Sequence, residues 1–313
     1  MDIKVKLAYF FIDLLVPLLA GYLLRIKPIF GESFFASMAN YNMLLLYPVL
    51  SVLSFWVLPL SWELMWLPLF GVILCLIPGL AAYWLSKNKY SSMIDTGSYV
   101  LSAMLSNIGT LGGLCVYILY GETGFAYTQL VVLLQVAVIF LVCYPLAQYY
   151  HRRAQAASLD KTSFSKLFFN RNQLPVIGLA IGFALYYLNI PRPVILGKLF
   201  DPLVHIAAWT ALIPVGHSID FSAIKKYYLS TVDLVPIKFI VTPLVSYLIA
   251  RVIFDDPKII NTVLILASMP TAISAVIVVK IHDLNIHIAN ASFILTTALF
   301  LLVVYPIIFF GLQ

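Results

Sequence analysis

The sequence predicts an all-α integral membrane protein with ten transmembrane helices. Of its 313 residues, 62% are apolar and only 10% are charged, and the mean hydropathy is +0.99. Soluble domains carry roughly 25% charged residues, so a water-soluble fold could not cover so much apolar surface. A membrane-spanning helix needs about 20 apolar residues. With short connections, the length of the chain therefore fits about ten such helices.

Polar residues, prolines and glycines divide the chain into ten hydrophobic runs. The first run follows Lys4 and Lys6, as the apolar core of a signal peptide would. No small-residue cleavage motif ends it, and Arg25 and Lys27 follow directly, so we interpret it as a retained span. The runs cover residues 7–24, 35–59, 65–86, 97–119, 127–149, 173–190, 199–218, 232–254, 259–280 and 287–310.

The distribution of basic residues predicts the orientation in the membrane, because cytoplasmic loops carry an excess of Lys and Arg. When the loops are assigned alternately to two sides, one side collects twelve Lys and Arg and the other six. This predicts a multi-pass protein of the cell membrane with both termini outside and a cytoplasmic loop at 151–172. Orientation explains the net charge of +6, so no nucleic-acid partner is expected.

Matching prolines indicate that the chain contains an internal repeat. Four prolines of the first half recur in order in the second half, at offsets of 158, 166, 165 and 161 residues. Five spans per half is an odd number, so the second half must enter the membrane from the opposite side, as in many secondary transporters. The predicted organisation is a first five-helix repeat at 1–150, the loop at 151–172 and an inverted second repeat at 173–313. The matched pairs are Pro17 with Pro175, Pro48 with Pro214, Pro78 with Pro243, and Pro145 with Pro306.

The fourth and ninth runs are predicted to be broken helices that cross near the middle of the membrane. Glycine weakens helices and proline removes an amide donor, and non-helical backbone at this depth must be buried in protein or line a wet cavity. Free amides at half-helix N-termini bind anions, so we expect a site for a small organic anion here. Close helix packing through small residues is the alternative explanation. The candidate substrate-binding residues are Ser106, Asn107, Gly109, Thr110 and Gly112 in the fourth run, and Pro270, Thr271 and Ser274 in the ninth.

Further polar residues inside the apolar runs are candidates for the same site. Lys238 is the one Lys or Arg assigned to the inside of a run rather than to a loop or the end of a run, and it could attract the anion, brace the broken helices or extend to the headgroups. Asn40 could contact substrate or bridge helices, as could Asn42 and Gln135. Two further polar groups are expected to be structural or interfacial: Asp13 near the outer end of the first run, and the histidines His205 and His217.

Several classes of mechanism lack the residues that they require. The sequence has no HExxH, no GxSxG and no paired aspartates placed for acid/base work, so an enzyme is not expected. Cysteine spacing indicates neither a metal nor a disulfide framework, and no cofactor is predicted. Glutamates lie outside the runs, and no aspartate lies near the broken segments. Uniport or exchange is therefore favoured, although sodium bound by carbonyls, Asn107 and hydroxyls remains an alternative.

Over nearly its whole length the chain resembles the auxin efflux carrier family, which includes plant PIN transporters and bacterial malonate and malate permeases. The resemblance rests on Asn40 with the following Tyr47-Pro48-Val49-Leu50, on SNIGTLGG in the fourth run, and on MPTAISAVIVVKIHDLNIHIANASFILTTALFLLVVYPI in the ninth and tenth. It extends to the stretch from Lys238 to Pro243. Gly113 and Ser274 depart from the proline and asparagine common in the family, so the substrate is not carried over.

The resemblance implies ten spans in two inverted repeats, with a scaffold formed by the first, second, sixth and seventh runs. It also implies a transport domain crossed by the fourth and ninth, elevator-type alternating access, and a homodimer formed through the scaffold helices. The substrates implied are carboxylates, including dicarboxylates and indole acids. Two other functions stay open: a sodium-coupled symporter of the bile-acid type, and a membrane receptor that binds a ligand without moving it.

Overall fold

The computed structural model describes residues 3–59, 61–155, 174–219 and 227–312, and within these ranges the protein is built from α-helices without any β-strand. The side chains of residues 3, 4, 7 and 174–176 are outside the description. The same holds for most of the predicted cytoplasmic loop at 151–172, and for five of the basic residues used to predict the orientation: Lys161, Lys166, Arg171, Lys225 and Lys226.

Twelve helices are labelled here in chain order. The predicted boundary between the fourth and fifth runs is a sharp turn at Gly121, whose φ of 65° lies in the left-handed region that glycine adopts without strain. The helices are α1 (3–26), α2 (Glu32–Trp56), α3 (Trp62–Ser86), α4 (Met93–Met104), α5 (108–120), α6 (122–155), α7 (Leu174–Tyr187), α8 (Val194–His217), α9 (Leu234–Ile253), α10 (Pro257–Ala267), α11 (Ile273–Ile281) and α12 (Ile286–Gly311).

Six helical segments in the described part of the chain are long and apolar enough to cross a membrane. This confirms the all-α, multi-pass character that the composition predicts. The count of ten spans and the inverted repeat stay predictions. The six segments are Glu32–Trp56, Trp62–Ser86, Ile108–Gln155, Val194–His217, Leu234–Ile253 and Ile286–Gly311.

In five of the twelve labelled helices, a wider, π-helical turn ends two residues before a proline. Proline has no amide hydrogen and its ring clashes with the carbonyl four residues earlier, and a turn with i to i+5 hydrogen bonding relieves this conflict. The turns at Ile139–Cys143 and Phe300–Val304 precede Pro145 and Pro306, and are separated by the same 161 residues as the prolines. The other three turns are Phe10–Leu15, Asn42–Leu46 and Ile237–Val241.

The chain divides into two compact units, each of which takes segments from both sequence halves. The first unit contains the described residues of Met1–Trp62, Gly109–Gln129 and Phe169–Ile219. The second contains those of Glu63–Ile108, Leu130–Phe168 and Asp220–Gln313. The units are thus interleaved along the chain, whereas the predicted repeats are consecutive.

In the first unit, glycines allow two pairs of helices to approach closely. A side chain at Gly216 of α8 would lie 2.1 Å from the carbonyl oxygen of Leu18 in α1, and one at Gly178 of α7 would lie 2.4 Å from that of Pro48 in α2. Both distances are far below van der Waals contact. Small residues at helix interfaces are how membrane helices gain packing energy without a hydrophobic driving force.

Glycines also allow close helix packing around α3 in the second unit. A side chain at Gly71 would lie 2.2 Å from the carbonyl oxygen of Val131, and one at Gly79 would overlap the side chain of Met104. The close contact at Gly71 also involves Gln135, whose backbone nitrogen would lie 2.6 Å from a side-chain carbon added at Gly71. Glycine packing therefore positions a polar side chain of α6 that is used at the site described below.

Candidate functional site

Two helices of the second unit are interrupted where the sequence predicts. Helix α4 ends at Met104, and Leu105 is extended, with φ of −92° and ψ of 99°. Helix α10 ends at Ala267, and the chain becomes helical again at Ile273 after an extended Ala272. These breaks fall within the polar, glycine- and proline-containing segments of the fourth and ninth runs.

The two interruptions pair with each other through their backbones. Ser106 and Thr271 form an antiparallel bridge. The amide of Asn107 donates to the carbonyl of Pro270 at 2.9 Å, and the amide of Ala272 donates to the carbonyl of Leu105 at 2.8 Å. Backbone groups that leave a helix inside a membrane must find partners within the protein. Here each broken segment supplies the partners of the other.

Side chains from three other parts of the second unit satisfy carbonyls at the end of α4. Oγ1 of Thr271 donates to the carbonyl of Ser102 at 2.9 Å, and Nζ of Lys238 donates to that of Ala103 at 2.9 Å. Beyond the helix, Nε2 of Gln135 donates to the carbonyl of Ser106 at 3.0 Å. The last carbonyls of a helix have no partner within it and carry partial negative charge, so these donors stabilise the open end.

Lys238 is the most unusual residue of this group because it is a cation with 1% exposure. It lies in the π-helical turn of α9, and besides the carbonyl of Ala103 it donates to Oγ of Ser106 at 2.8 Å. Both partners are neutral, and among the described residues Lys238 forms no ion pair with a carboxylate. Burying a charge without an opposite one is costly, so an anion bound beside Lys238 would stabilise the charged form of this lysine.

The bond from Lys238 polarises the hydroxyl of Ser106. Since its oxygen accepts a hydrogen bond from Lys238, its own hydroxyl proton is directed elsewhere. Hydrogen bonds in a chain polarise one another at low dielectric, so the hydroxyl becomes a stronger donor. Nearby, no side chain caps the N-terminus of α11 at Ala272, and Ser274 lies half-buried in its first turn.

The other predicted site residues lie in the first unit. Gly109, Thr110 and Gly112 belong to the π-helical turn Ile108–Gly112 that opens α5. The hydroxyl of Tyr47 donates to the carbonyl of Gly109 at 3.4 Å. Thr110 is one of the few polar groups lining a small, mostly apolar pocket in this unit. The remaining lining residues are Tyr47, Leu50, Leu114, Phe125, Val204, Ala207 and Ala208.

The two asparagines of α2 differ in their surroundings. Asn40 is exposed. Asn42 is buried, with its amide donating to Oγ1 of Thr210 at 2.7 Å and to the carbonyl of Ala207. Asn42 thus bridges α2 and α8, which is the structural role considered for it from the sequence. Substrate binding by Asn40 stays a prediction.

Two residues of the site escaped the sequence analysis. Thr296 of α12 accepts the amide hydrogen of Thr271 at 3.0 Å, and Ser102 supplies the carbonyl bound by Thr271. Thr296 is fully buried and donates to the carbonyl of Ser292 one turn earlier. The available signal in the sequence was a pair of hydroxyl residues, Ser292 and Thr296, four positions apart in an apolar run. It is weak, because Ser and Thr commonly bond their own helix in this way.

Comparisons with known proteins indicate a transporter. The chain is 26% identical over 244 residues to the uncharacterized transporter MJ1031 of Methanocaldococcus jannaschii, and the match covers 77% of each chain. No protein-family model matches. With its apolar helices and this relative, the protein is a transporter-like membrane protein.

The bridge between the broken segments should depend on the Thr271 hydroxyl. The substitution Thr271→Val keeps the side-chain shape but leaves the buried carbonyl of Ser102 without its donor, at a cost of about 1–3 kcal/mol. We expect a lower midpoint of thermal unfolding in detergent. As a matched control, the exposed Thr123→Val should change stability by less than about 0.5 kcal/mol. Equal midpoints for the two variants would contradict the proposed bond.

Proposed function

We propose that the protein is a secondary transporter of small organic anions, and that the interrupted helices of the second unit bind the anion. The observation that carries this proposal is the buried, carboxylate-free Lys238 with its bond to Ser106. An anion that accepts from the Ser106 hydroxyl would gain from a polarised donor and from the nearby positive charge. Ionisable groups inside membrane segments commonly mark substrate pathways.

The backbone around the breaks favours an anion over a cation. The carbonyls of Ser102, Ala103 and Ser106 at the end of α4 already accept side-chain donors. The N-terminus of α11 lacks a side-chain cap. The amide of Ala275 donates to the carbonyl of Ala272, while the first amides of a helix point out of its N-terminal end. Amides, a serine hydroxyl and a lysine together suit a carboxylate.

The division into two units supports an alternating-access mechanism of the elevator type. The first unit contains the first, second, sixth and seventh runs, which the resemblance assigns to a scaffold. The second contains the third, eighth, ninth and tenth runs with the first part of the fourth and most of the fifth. Residues 109–129 belong to the first unit, so in this proposal the moving unit contains the fourth run only up to Ile108.

Transport by purified protein in lipid vesicles tests the proposal. We expect protein-dependent uptake of labelled malate, malonate or indole-3-acetate above that of protein-free vesicles. Uptake that disappears when sodium is replaced by potassium would instead indicate a sodium symporter. Saturable binding without uptake would indicate a receptor, and no binding or uptake of any of the three would reject the proposal.

Asn107→Ala should separate binding from folding at the same site. The backbone bond from residue 107 to Pro270 does not need the side chain and persists in the variant. We therefore expect the uptake rate to fall by roughly tenfold, the value of one good hydrogen bond, with little change in the amount of protein in the membrane. Parallel loss of uptake and protein would show that Asn107 is structural.

A further inference from the structure

The hydrogen bonds of Lys238 leave one direction of its amino group unused. Nζ donates to the carbonyl of Ala103 at 2.9 Å and to Oγ of Ser106 at 2.8 Å. An ammonium has three N–H donors, whereas a neutral amine has two and a lone pair. Among the residues that the structure describes, Nζ has no third partner. The two bonds therefore satisfy a neutral amine completely but leave an ammonium one donor short.

The surroundings of Lys238 favour a neutral amine while the site is empty. The side chain is 1% exposed, and both of its hydrogen-bond partners are uncharged. The cost of burying an ammonium is offset only by an opposite charge and a full set of hydrogen bonds, and in the described part of the second unit Lys238 has neither. A carboxylate of the substrate would supply both the missing charge and the missing acceptor.

In the described structure, the carboxylates next to this site are bound to other partners. Asp233, just before α9, pairs with Lys89 at 2.6 Å, and Asp95 of α4 accepts from a side-chain amide at 2.7 Å. The titratable group that faces Lys238 is the buried thiol of Cys75 in α3, which is neutral in apolar surroundings. The other charged or imidazole side chains on the helices packed against Lys238 form no bond with it: Glu63 of α3, Arg251 of α9, Lys258 of α10 and His287 of α12.

A second group of ionisable side chains lies in the first unit and does not suit proton transport with the anion. Nδ1 of His205 lies 2.6 Å from Oδ2 of Asp13, and its Nε2 lies 3.4 Å from Oδ2 of Asp201. Asp13 is 2% exposed and lies within a continuous helix. The proposed mechanism keeps the first unit stationary, so a proton held there would not travel with an anion bound to the second unit.

We propose that Lys238 carries one proton across the membrane with each anion. In the empty site the amine is neutral, and its two N–H groups bind Ala103 and Ser106. On loading, a proton from water adds to the lone pair of Nζ, and the new N–H donates to a carboxylate of the anion. On release at the other side, the anion leaves, this N–H bond breaks and the proton returns to water.

This coupling rests on the proposed transport function and identifies the proton-binding group of the same site. Proton and anion bind to one unit, so a single movement carries both. Each carboxylate that pairs with the new ammonium adds no net charge to the buried site, which lowers the cost of moving it through the membrane. A lysine thus replaces the membrane carboxylate that proton-coupled carriers commonly use.

Vesicles that contain a pH-sensitive dye test the coupling in the wild type, with equal potassium and valinomycin holding the membrane potential at zero. The anion is the one of malate, malonate and indole-3-acetate that is taken up fastest, after subtraction of the signal of protein-free vesicles. Uptake should acidify the interior by about one proton per anion, the capacity of one amine. An outside pH one unit below the inside pH should drive about tenfold accumulation of the anion.

Two results in the wild type separate the coupling from transport itself. Uptake without acidification, or without accumulation along the pH gradient, would overturn the coupling while transport stands. Absence of uptake of all three anions would overturn the transport proposal, and the coupling with it.

Lys238→Arg separates positive charge from proton exchange, because a guanidinium keeps the charge and the donors but does not release its proton in proteins. Exchange of labelled for unlabelled anion should persist, while the protons taken up per anion fall by about tenfold or more. A ratio near one would show that the anion itself carries the proton and would overturn the role of Lys238. Should Lys238→Arg be inactive, the residual uptake of Lys238→Met is decided by the same two outcomes.

Two control variants test whether the effect is specific to Lys238. Lys280→Arg makes the same substitution at an exposed position of the second unit, and Cys75→Ala removes the thiol that faces Lys238. Both should keep a ratio near one proton per anion. A tenfold lower ratio in Lys280→Arg would show that the effect is not specific to the buried lysine. The same loss in Cys75→Ala would assign the proton to the thiol, and either result would overturn the proposal.

Discussion

Lys238→Met is expected to reduce anion uptake by roughly 10- to 100-fold, the effect of losing one hydrogen bond to a charged group. The substitution removes the positive charge and its bonds to Ala103 and Ser106. Without the lysine, the Ser106 hydroxyl loses its polarising donor and the site loses its cation. The measurement is the initial rate of malate or malonate uptake per amount of protein inserted in vesicles.

Stability should change much less than transport in this variant. Methionine is apolar and similar in length, and replacing a buried charge by an apolar side chain recovers its desolvation penalty. This gain offsets the loss of the donor to the carbonyl of Ala103. We therefore expect the thermal midpoint of Lys238→Met to remain close to that of the wild type.

Lys280→Met provides the control for charge alone. Lys280 is exposed in the last turn of α11 in the same unit, and its replacement also lowers the net charge by one. Uptake should stay within about twofold of the wild type, because exposed charges contribute little. Equal losses in Lys238→Met and Lys280→Met would argue against a special role for the buried cation.

Gly216→Val is expected to have the largest effect on folding. The new side chain would start 2.1 Å from the carbonyl oxygen of Leu18, and a backbone atom cannot rotate aside. Overpacking typically costs about 1–3 kcal/mol and sometimes more, and a clash with backbone should lie at the upper end. We expect a strongly lowered thermal midpoint and a smaller yield of monodisperse protein in detergent.

Gly311→Val tests whether valine itself is tolerated in a helix of this protein. A side chain at Gly311 would meet no atom within 4 Å, so the thermal midpoint should be nearly unchanged. A stable Gly216→Val protein would falsify the close packing of α1 against α8. It would also contradict the contact of Asp13 with His205, because that packing brings α1 and α8 together.

The helical class and the positions of the breaks could be predicted from sequence because their causes act within one or two turns. Apolar composition requires helices in a membrane, and a proline disturbs only the turn before it, as at Pro145 and Pro306. The polar segments around Asn107 and Pro270 are likewise locally unsuited to helix. These effects do not depend on what packs against them.

Which distant residues contact each other could not be predicted in this way. Asp13 and His205 are 192 residues apart, and Lys238 reaches Ser106 across 132 residues. Nothing in the flanking residues distinguishes a lysine that extends to the headgroups from one that binds a helix end. Asp13, too, has the local pattern of an interfacial residue, and its burial depends on Gly21 and Gly216, which let α1 and α8 approach closely.

The sequence by itself therefore determined that the chain forms apolar helices and where two of them are interrupted. Only the tertiary structure decided that the interruptions pair with each other, that Lys238 caps α4 beside Ser106, and that two aspartates share one histidine. The reason is physical: helix formation and its disruption follow from groups a few residues apart, whereas hydrogen bonds between distant segments depend on the packing of whole helices.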